Sequence, residues 1–296
     1  MFRHNKLLTD KNDIGSNGHS VMGQLYGSSK NLAITELLDG DGLSIIICPN
    51  SDSVYSTFRD IHFFSNNKLN IDILPDLEML PYDINPPAKA VKSLRSEIFY
   101  KIANNDLNTL VLNAQNLLWK IPESSFFTNN STDLEVNQKF SVRDLKDLFS
   151  NNGFERVNVV NYPGEYSIRG SVIDFFSTIN KLPVRLDLFD DTIDSMRQFD
   201  LESQLTIKSI KHSKVIPADF FSKTKEQIDF FKLNFRNSYE GNQMEWPLYE
   251  SIEQDYESHG IYNYLPFFHK KTASLLDYFD DKARFIFVGD VEESMN

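Results

Sequence analysis

The sequence predicts an α/β protein in which a small α+β domain interrupts a domain built on a parallel sheet. Apolar segments at 43–48, 71–74 and 109–112 alternate with segments whose apolar residues recur at helical spacing. Strands that alternate with helices are typical of a parallel sheet. Between residues 164 and 210, several strand patterns follow one another without an intervening helix. Consecutive strands joined by short turns indicate an antiparallel sheet, and therefore a second architecture within the chain.

The first sheet is predicted from elements at both ends of the chain. Residues 31–38 have a short helical pattern, and the continuous apolar run at 43–48 predicts a strand that is buried on both faces. Ser51 or Asp52 is expected to cap the next helix, because short polar side chains satisfy the free N–H groups of a first turn. The apolar run at 284–288 predicts another buried strand, which we expect to return to this sheet.

The character of the sequence changes after Trp119. Residues 120–140 are polar and rich in Ser, Thr and Asn, which predicts a linker or a long loop. Ser141 and Asp144 then have the spacing of a capping box, at the start of a helix that Gly153 is expected to end. Four strands are predicted after this helix, at 166–176, 184–189, 193–199 and 205–210.

Length and composition limit the possible functions. A chain of 296 residues with 41% hydrophobic residues is long enough for two domains with a sizeable core. Lys and Arg number 30 against 42 Asp and Glu, and the formal charge of −12 opposes electrostatic capture of nucleic acid. The single cysteine, Cys48, excludes an internal disulfide and indicates a reducing compartment. Without an apolar leader or membrane span, we expect a cytoplasmic protein that does not contact a membrane.

A candidate docking surface lies on the predicted strand at 184–189. Side chains alternate between the faces of a strand, so Arg185, Asp187 and Phe189 share the face opposite the apolar residues. An exposed aromatic ring among charged neighbours favours burial in a partner. Arg169, on the preceding strand, could lie beside them. The alternative is a solvated sheet edge on which single aromatic residues are ordinary.

A degenerate phosphate loop is the only candidate for catalysis. When the pattern of a phosphate-binding loop is aligned on Lys30, Gln24 and Ser29 occupy its two glycine positions, and Asn31 occupies the position of its Ser or Thr. Gly27 lies between Gln24 and Ser29. Only the lysine of the pattern is present. We therefore expect no catalytic residue in this chain, although an ATPase or helicase acting through residues 24–31 stays an alternative.

Other chemical sites find no support in the sequence. The six histidines lack the spacing of a metal site, and no nucleophile-elbow motif occurs. The acids Asp187, Asp190, Asp191 and Asp194 could be compared with the magnesium-binding acid of an ATPase. Arg185 and Asp187 interrupt the apolar run that such a strand needs, so a solvated turn is the preferred interpretation. No resident cofactor or metal is predicted.

Four segments of the sequence carry a family resemblance. They are LPDLEMLPYDINPP at 74–87, GEYSIRGSVIDFF at 164–176, LPVRLDLFDDTIDSMRQFD at 182–200 and GIYNYLPFF at 260–268. In this order they resemble the N-terminal region of bacterial transcription-repair coupling factors, the Mfd family, which is similar to the excision-repair helicase UvrB. The N-terminal region of this family has a helicase-like fold without ATPase activity. The degenerate loop in this sequence agrees with that resemblance.

The resemblance implies a division of the chain and a site. It implies a flexible N-terminus at 1–20, a UvrB-like α/β domain in two halves at 21–116 and 211–296, and an inserted domain at 117–210 that binds UvrA. The positions that carry this contact in the family match Arg169, Arg185 and Phe189.

The resemblance also implies what lies elsewhere in a full-length family member. The motor that uses ATP and magnesium, and the binding of RNA polymerase and DNA, would belong to later domains beyond residue 296. A C-terminal domain of the same protein could mask the UvrA-binding surface. Direct DNA binding by the inserted domain is a further alternative, which the acidic composition disfavours.

Overall fold

The computed structural model describes residues 22–23, 25–38, 42–79, 83–222, 224–253 and 260–292. These residues form two compact units. Within the described residues, the first unit draws on 22–76, 105–118 and 279–292, and the second on 77–104 and 119–278. The N-terminal segment predicted at 1–20 lies outside the described residues.

The helices and strands are as follows. The helices are α1 (Ser29–Leu37), α2 (Ser51–Phe64), α3 (Lys89–Ala103), α4 (Ser124–Asn129), α5 (Val142–Asn151), α6 (Lys225–Ser238), α7 (Pro247–Glu253) and α8 (Leu265–Phe268). The strands are β1 (Ser44–Cys48), β2 (Ile71–Ile73), β3 (Thr109–Asn113), β4 (Ile121–Pro122), β5 (Thr132–Glu135), β6 (Glu155–Arg156), β7 (Glu165–Arg169), β8 (Val172–Phe175), β9 (Val184–Phe189), β10 (Thr192–Phe199), β11 (Thr206–Ile210), β12 (His212–Val215), β13 (Thr272–Ala273) and β14 (Arg284–Phe287).

The first unit contains the predicted parallel sheet. Its strand order is β14-β1-β3-β2, and every neighbouring pair is parallel. All residues of β1 and β3 are buried, as expected for the central strands of a parallel sheet. Helices α1 and α2 pack on one face, where Val54 and Ile61 of α2 join Ile46 and Cys48 in one core cluster. The prediction of an α/β fold is confirmed.

Two details of this sheet differ from the sequence-based expectation. Asn50, and neither Ser51 nor Asp52, caps α2, because its side-chain oxygen accepts a hydrogen bond from the Ser53 amide at 2.9 Å. Strand β14 returns to the sheet as predicted, but it lies at the edge and Phe287 is 63% exposed. An apolar run therefore predicted a strand correctly but did not show how many neighbours it has.

The second unit contains a six-stranded sheet with the order β11-β10-β9-β8-β7-β6. All pairs are antiparallel except β6 with β7. The single strand predicted at 166–176 is wrong, because the chain reverses at Gly170 and forms the hairpin β7–β8. Gly170 has φ +65°, a value that glycine adopts without the steric penalty of a side chain. The strand predictions for β9, β10 and β11 are confirmed within one residue.

The core of this unit forms on one side of the antiparallel sheet. Val184, Leu186 and Leu188 point into it, and helix α5 covers it with Leu145 and Phe149. The capping box predicted at the start of α5 is present, with Ser141 and Asp144 bonded to each other's backbone amides. The region expected to be a loop at 120–140 instead contains β4, α4 and β5, so that prediction is wrong. The buried residues Ile121, Phe127 and Leu134 hold these short elements in place.

The compact units do not coincide with the division implied by the family resemblance. Helix α3 belongs to the second unit because its polar side chains bond there: Lys92 contacts Asp219 at 3.0 Å, and Ser93 donates to the Pro163 carbonyl at 3.0 Å. Tyr262 also donates a hydrogen bond to Asp219, and burial raises the pKa of Tyr262 well above its usual range. The segments 77–104 and 211–278 therefore pack with the inserted region, and the implied domain bounds stay a prediction.

Replacing Phe149 by alanine should strongly destabilise the second unit. Its ring is fully buried and lies 5.1 to 5.3 Å, between centroids, from the rings of Phe154, Tyr166 and Phe175. We expect Phe149→Ala to lower the free energy of unfolding by about 3–5 kcal/mol in urea denaturation followed by circular dichroism. Phe189→Ala, the same change at a site that is 73% exposed, should lower it by less than about 1 kcal/mol. Equal losses in the two variants would contradict this description of the core.

Candidate functional site

The outer face of the antiparallel sheet carries a cluster of two arginines around one aspartate. Asp174 of β8 lies opposite Arg185 of β9 in the strand register. Its carboxylate accepts hydrogen bonds from Arg185 Nε at 2.7 Å and from an Arg185 terminal nitrogen at 2.9 Å. Arg169, at the end of β7, donates to the same carboxylate. Three neighbouring strands are thus joined by one ionic cluster, Arg169–Asp174–Arg185.

The three members of this cluster differ in exposure. The side chain of Asp174 is 3% exposed, that of Arg185 is 18% exposed and that of Arg169 is 50% exposed. A buried carboxylate is stable only when it is paired and hydrogen-bonded. Two guanidinium charges and one carboxylate charge leave the cluster with one net positive charge. This charge lies at the surface of a chain whose overall charge is negative.

Arg185 is held from three directions. Its guanidinium lies 4.6 Å from the centroid of the Phe199 ring, which is fully buried. Terminal nitrogens also approach the backbone and side-chain oxygens of Gln204, each at 3.4 Å. The hydrogen bonds that Arg185 donates to the Asp174 carboxylate raise the pKa of Arg185 above its ordinary value. The guanidinium is therefore charged at every physiological pH and has one preferred position.

Phe189 lies at the end of β9, four residues after Arg185 and on the same face. Its side chain is 73% exposed. The turn that follows begins at Asp190, which has φ +50°, and it returns the chain to Thr192 directly opposite Phe189. Because the tight hairpin fixes the backbone on both sides of Phe189, the ring is displayed from a rigid element.

A second ionic pair continues the same face. Asp187, between Arg185 and Phe189 in the strand alternation, accepts hydrogen bonds from Arg197 and from the Ser195 hydroxyl, the latter at 2.6 Å. Their side chains are about one third exposed, 29% for Asp187 and 35% for Arg197. The outer face of β8, β9 and β10 is therefore polar and internally bonded, with the Phe189 ring at one end.

The structure thus brings together the three residues that the sequence singled out. Arg169 and Arg185 share one carboxylate, and Phe189 follows on the same strand as Arg185. Arg185 faces outward as the strand alternation predicts, but it is not free for a partner, because Asp174 and Phe199 leave only 18% of its side chain exposed. Sequence reasoning missed Asp174, although a lone acid among the apolar residues of β8 was a usable signal. It also missed Phe199, Gln204 and Arg197, because these depend on strand register.

Residues 25–31, the part of the candidate loop that the structure describes, do not have the form of a phosphate-binding loop. Gln24 lies outside the described residues, and Gly27 has φ +58° at the start of a turn. The Ser29 hydroxyl donates to the carbonyl of Tyr26 at 2.7 Å. Asn31 is buried, and its amide nitrogen donates to Asp60 at 2.8 Å. Lys30 lies in the first turn of α1, and residues 25–28 contain no strand.

Two further kinds of site find no support in the part of the chain that the structure describes. No group of three or more His, Cys, Asp or Glu side chains is placed to hold a metal ion. None of the helices there is long and apolar enough to cross a lipid bilayer.

The outer face with the ionic cluster and Phe189 lies within a segment that matches a known protein family. Residues 132–221 match the family model of the UvrB interaction domain. This match contains the six-stranded sheet and all three residues of the ionic cluster. The second unit of the chain is therefore built around a UvrB interaction domain.

Similar proteins extend the relationship to most of the chain. The transcription-repair-coupling factor of Escherichia coli is 27% identical over 276 residues, which cover 93% of this chain and 24% of that protein. The corresponding protein of Haemophilus influenzae is 27% identical over 273 residues, with 91% and 24% covered. That of Rickettsia typhi is 31% identical over 238 residues, with 80% and 21% covered. The chain spans about a quarter of the length of these relatives. It corresponds to the N-terminal, UvrB-like region of the transcription-repair-coupling factor family.

The ionic cluster should stabilise the folded second unit, in addition to any role in binding a partner. Replacing Arg185 by alanine leaves the buried Asp174 carboxylate with Arg169 alone, so we expect the free energy of unfolding to fall by about 3 kcal/mol. Arg169→Ala removes the half-exposed partner and should lower it by about 1 kcal/mol. Urea denaturation of both variants measures the difference. A smaller loss for Arg185→Ala than for Arg169→Ala would show that Asp174 does not depend on Arg185.

Proposed function

We propose that this chain is the adaptor region of a transcription-repair coupling factor and that it recruits UvrA to stalled transcription complexes. The observation that carries the proposal is the Phe189 ring, 73% exposed at the end of β9 in the UvrB interaction domain, on the sheet face that also carries the Arg169–Asp174–Arg185 cluster. Aromatic and arginine side chains are the residue types enriched in binding hot spots of protein interfaces. Partner carboxylates would bond to the arginines while the Phe189 ring fills a pocket.

The rest of the function is assigned to other parts of a full-length protein. In this proposal the chain itself is not an enzyme and holds no cofactor. ATP and magnesium would serve a motor in later domains, which would also bind RNA polymerase and DNA. A C-terminal domain of the same protein would mask the Phe189 surface until UvrA is needed. The proposed compartment is the cytoplasm, where repair and transcription both take place in bacteria.

The nature of the loop at 24–31 supports a non-catalytic role. A bound nucleotide needs free backbone N–H groups around its phosphates and an oxygen ligand on magnesium. The Ser29 hydroxyl is used by the Tyr26 carbonyl, and Asn31 bonds to Asp60 through its amide nitrogen. The side-chain oxygen of Asn31 is buried, which supports the proposal that this loop holds no magnesium ion.

Replacing Phe189 by alanine should weaken binding to UvrA by about 30-fold, because removal of a central aromatic anchor typically costs about 2 kcal/mol. Co-purification with UvrA, followed by a titration of the 296-residue chain, measures the effect. Phe63→Ala is the matched control, since Phe63 is 74% exposed but lies on α2 in the other unit. Unchanged affinity in Phe189→Ala, or an equal loss in Phe63→Ala, would remove the assignment of the surface.

An equilibrium titration with ATP and magnesium tests the rival ATPase function. We expect no saturable binding in the micromolar range and no change in this result on Lys30→Ala. Binding at micromolar ATP that Lys30→Ala abolishes would favour a nucleotide-dependent enzyme acting through this loop.

A further inference from the structure

Asp174 occupies an unusual position for an acidic residue on a surface that is proposed to meet a partner. It is nearly inaccessible to a partner, with 3% of its side chain exposed, and both of its carboxylate oxygens accept bonds from arginine. It lies between Arg169 and Arg185, the two arginines that are proposed to bind the partner. A carboxylate that only adjusted the surface charge would not need to be buried and bonded through both oxygens.

The bonds to Asp174 determine which donors remain for a partner. Arg185 uses Nε and one terminal nitrogen on Asp174, and the Phe199 ring covers one face of its guanidinium. Its remaining terminal nitrogen approaches the Gln204 carbonyl, and the terminal nitrogen bonded to Asp174 also approaches the Gln204 side-chain oxygen, each at the long distance of 3.4 Å. Arg169 bonds to Asp174 through a terminal nitrogen, and its side chain is 50% exposed. Arg169 is thus anchored through one nitrogen and keeps accessible donors, whereas Arg185, with 18% of its side chain exposed, offers a partner chiefly the terminal nitrogen that lies 3.4 Å from the Gln204 carbonyl.

We propose that Asp174 is a positioning residue that holds Arg169 and Arg185 as a preformed receptor for a single acidic group of the partner. The proposal rests on the proposed recruitment of UvrA through this surface. The carboxylate neutralises one of the two guanidinium charges, so the cluster needs one further negative charge to become neutral. A partner aspartate or glutamate supplies that charge and accepts the outer N–H groups of both arginines.

The energetic reason is preorganisation. Arginine has many rotamers, and fixing such a side chain during binding reduces the affinity that its contacts provide. Asp174, the Phe199 ring and Gln204 fix Arg185 before the partner arrives, so less conformational entropy is lost on binding. A purely electrostatic role gives the opposite expectation. Removing a negative charge beside two cations would then strengthen the attraction for an acidic partner.

This difference in sign makes Asp174→Asn the test. Asparagine has nearly the same shape as aspartate but offers the arginines one acceptor oxygen and no charge. We expect the dissociation constant for UvrA to rise by about tenfold or more, through faster dissociation with the association rate unchanged or increased. Asp194→Asn, which removes one exposed carboxylate from neighbouring β10, is the matched control and should change affinity by less than about twofold. Equal or tighter binding by Asp174→Asn would overturn the proposal.

Measuring the association and dissociation rates separately also distinguishes a positioning role of Asp174 from loss of the fold. A partly unfolded variant has a smaller binding-competent fraction, which lowers the association rate and leaves dissociation unchanged. If Asp174→Asn does not fold, Asp174→Glu carries the same test, since glutamate keeps the negative charge but its longer side chain cannot hold both guanidinium groups in the same positions. A tenfold loss is again expected, and binding equal to that of the unmodified chain would overturn the proposal.

Failure of this inference differs from failure of the proposed function. If Phe189→Ala loses UvrA and Asp174→Asn does not, the surface stands and only the role of Asp174 is wrong. If the unmodified chain does not bind UvrA, the recruitment function itself fails.

Discussion

The candidate surface depends on the carboxylate of Asp174, which is buried between two guanidinium groups. Removing a carboxylate from water has a penalty of several kcal/mol unless cations and donors replace the lost solvent. Arg185 supplies two donors and Arg169 supplies another, from the strands on either side of β8. The chemistry of the outer face is therefore part of the force that fixes the three strands in register.

The core of the same unit depends on that register too. Successive side chains of a strand point to opposite faces, so Val184, Leu186 and Leu188 enter the core because Arg185 and Asp187 face outward. A slip of one residue would expose the apolar set and bury the charges. Core and surface thus specify one pairing of β8 with β9, and the surface inherits the rigidity of the core.

The sequence contained enough information to predict the fold class but only part of the site. Runs such as Leu43–Cys48 and the alternation in β9 predicted strands correctly, because residue hydrophobicity and side-chain period can be read from the local sequence. The hairpin at Gly170 was missed because the alternation of residues 166–169 was extended through Gly170 and Ser171, although both are turn-forming residues that interrupt it. Asp174 was missed with it, since its partners follow from strand pairing and lie up to 11 residues away. Phe199 and Gln204 likewise reach Arg185 only through the folded sheet.

The two-residue turns on either side of this surface limit how its length can vary. Gly170 and Ser171 join β7 to β8, and Asp190 and Asp191 join β9 to β10. A residue deleted from β8 would rotate Asp174 toward the apolar side and bring Ile173 outward. Insertions and deletions should therefore be tolerated at 179–182 in the longer connection, beyond the buried Phe176, Ser177 and Thr178, because extra chain there leaves every strand in phase. They should be rejected within Val172–Phe175.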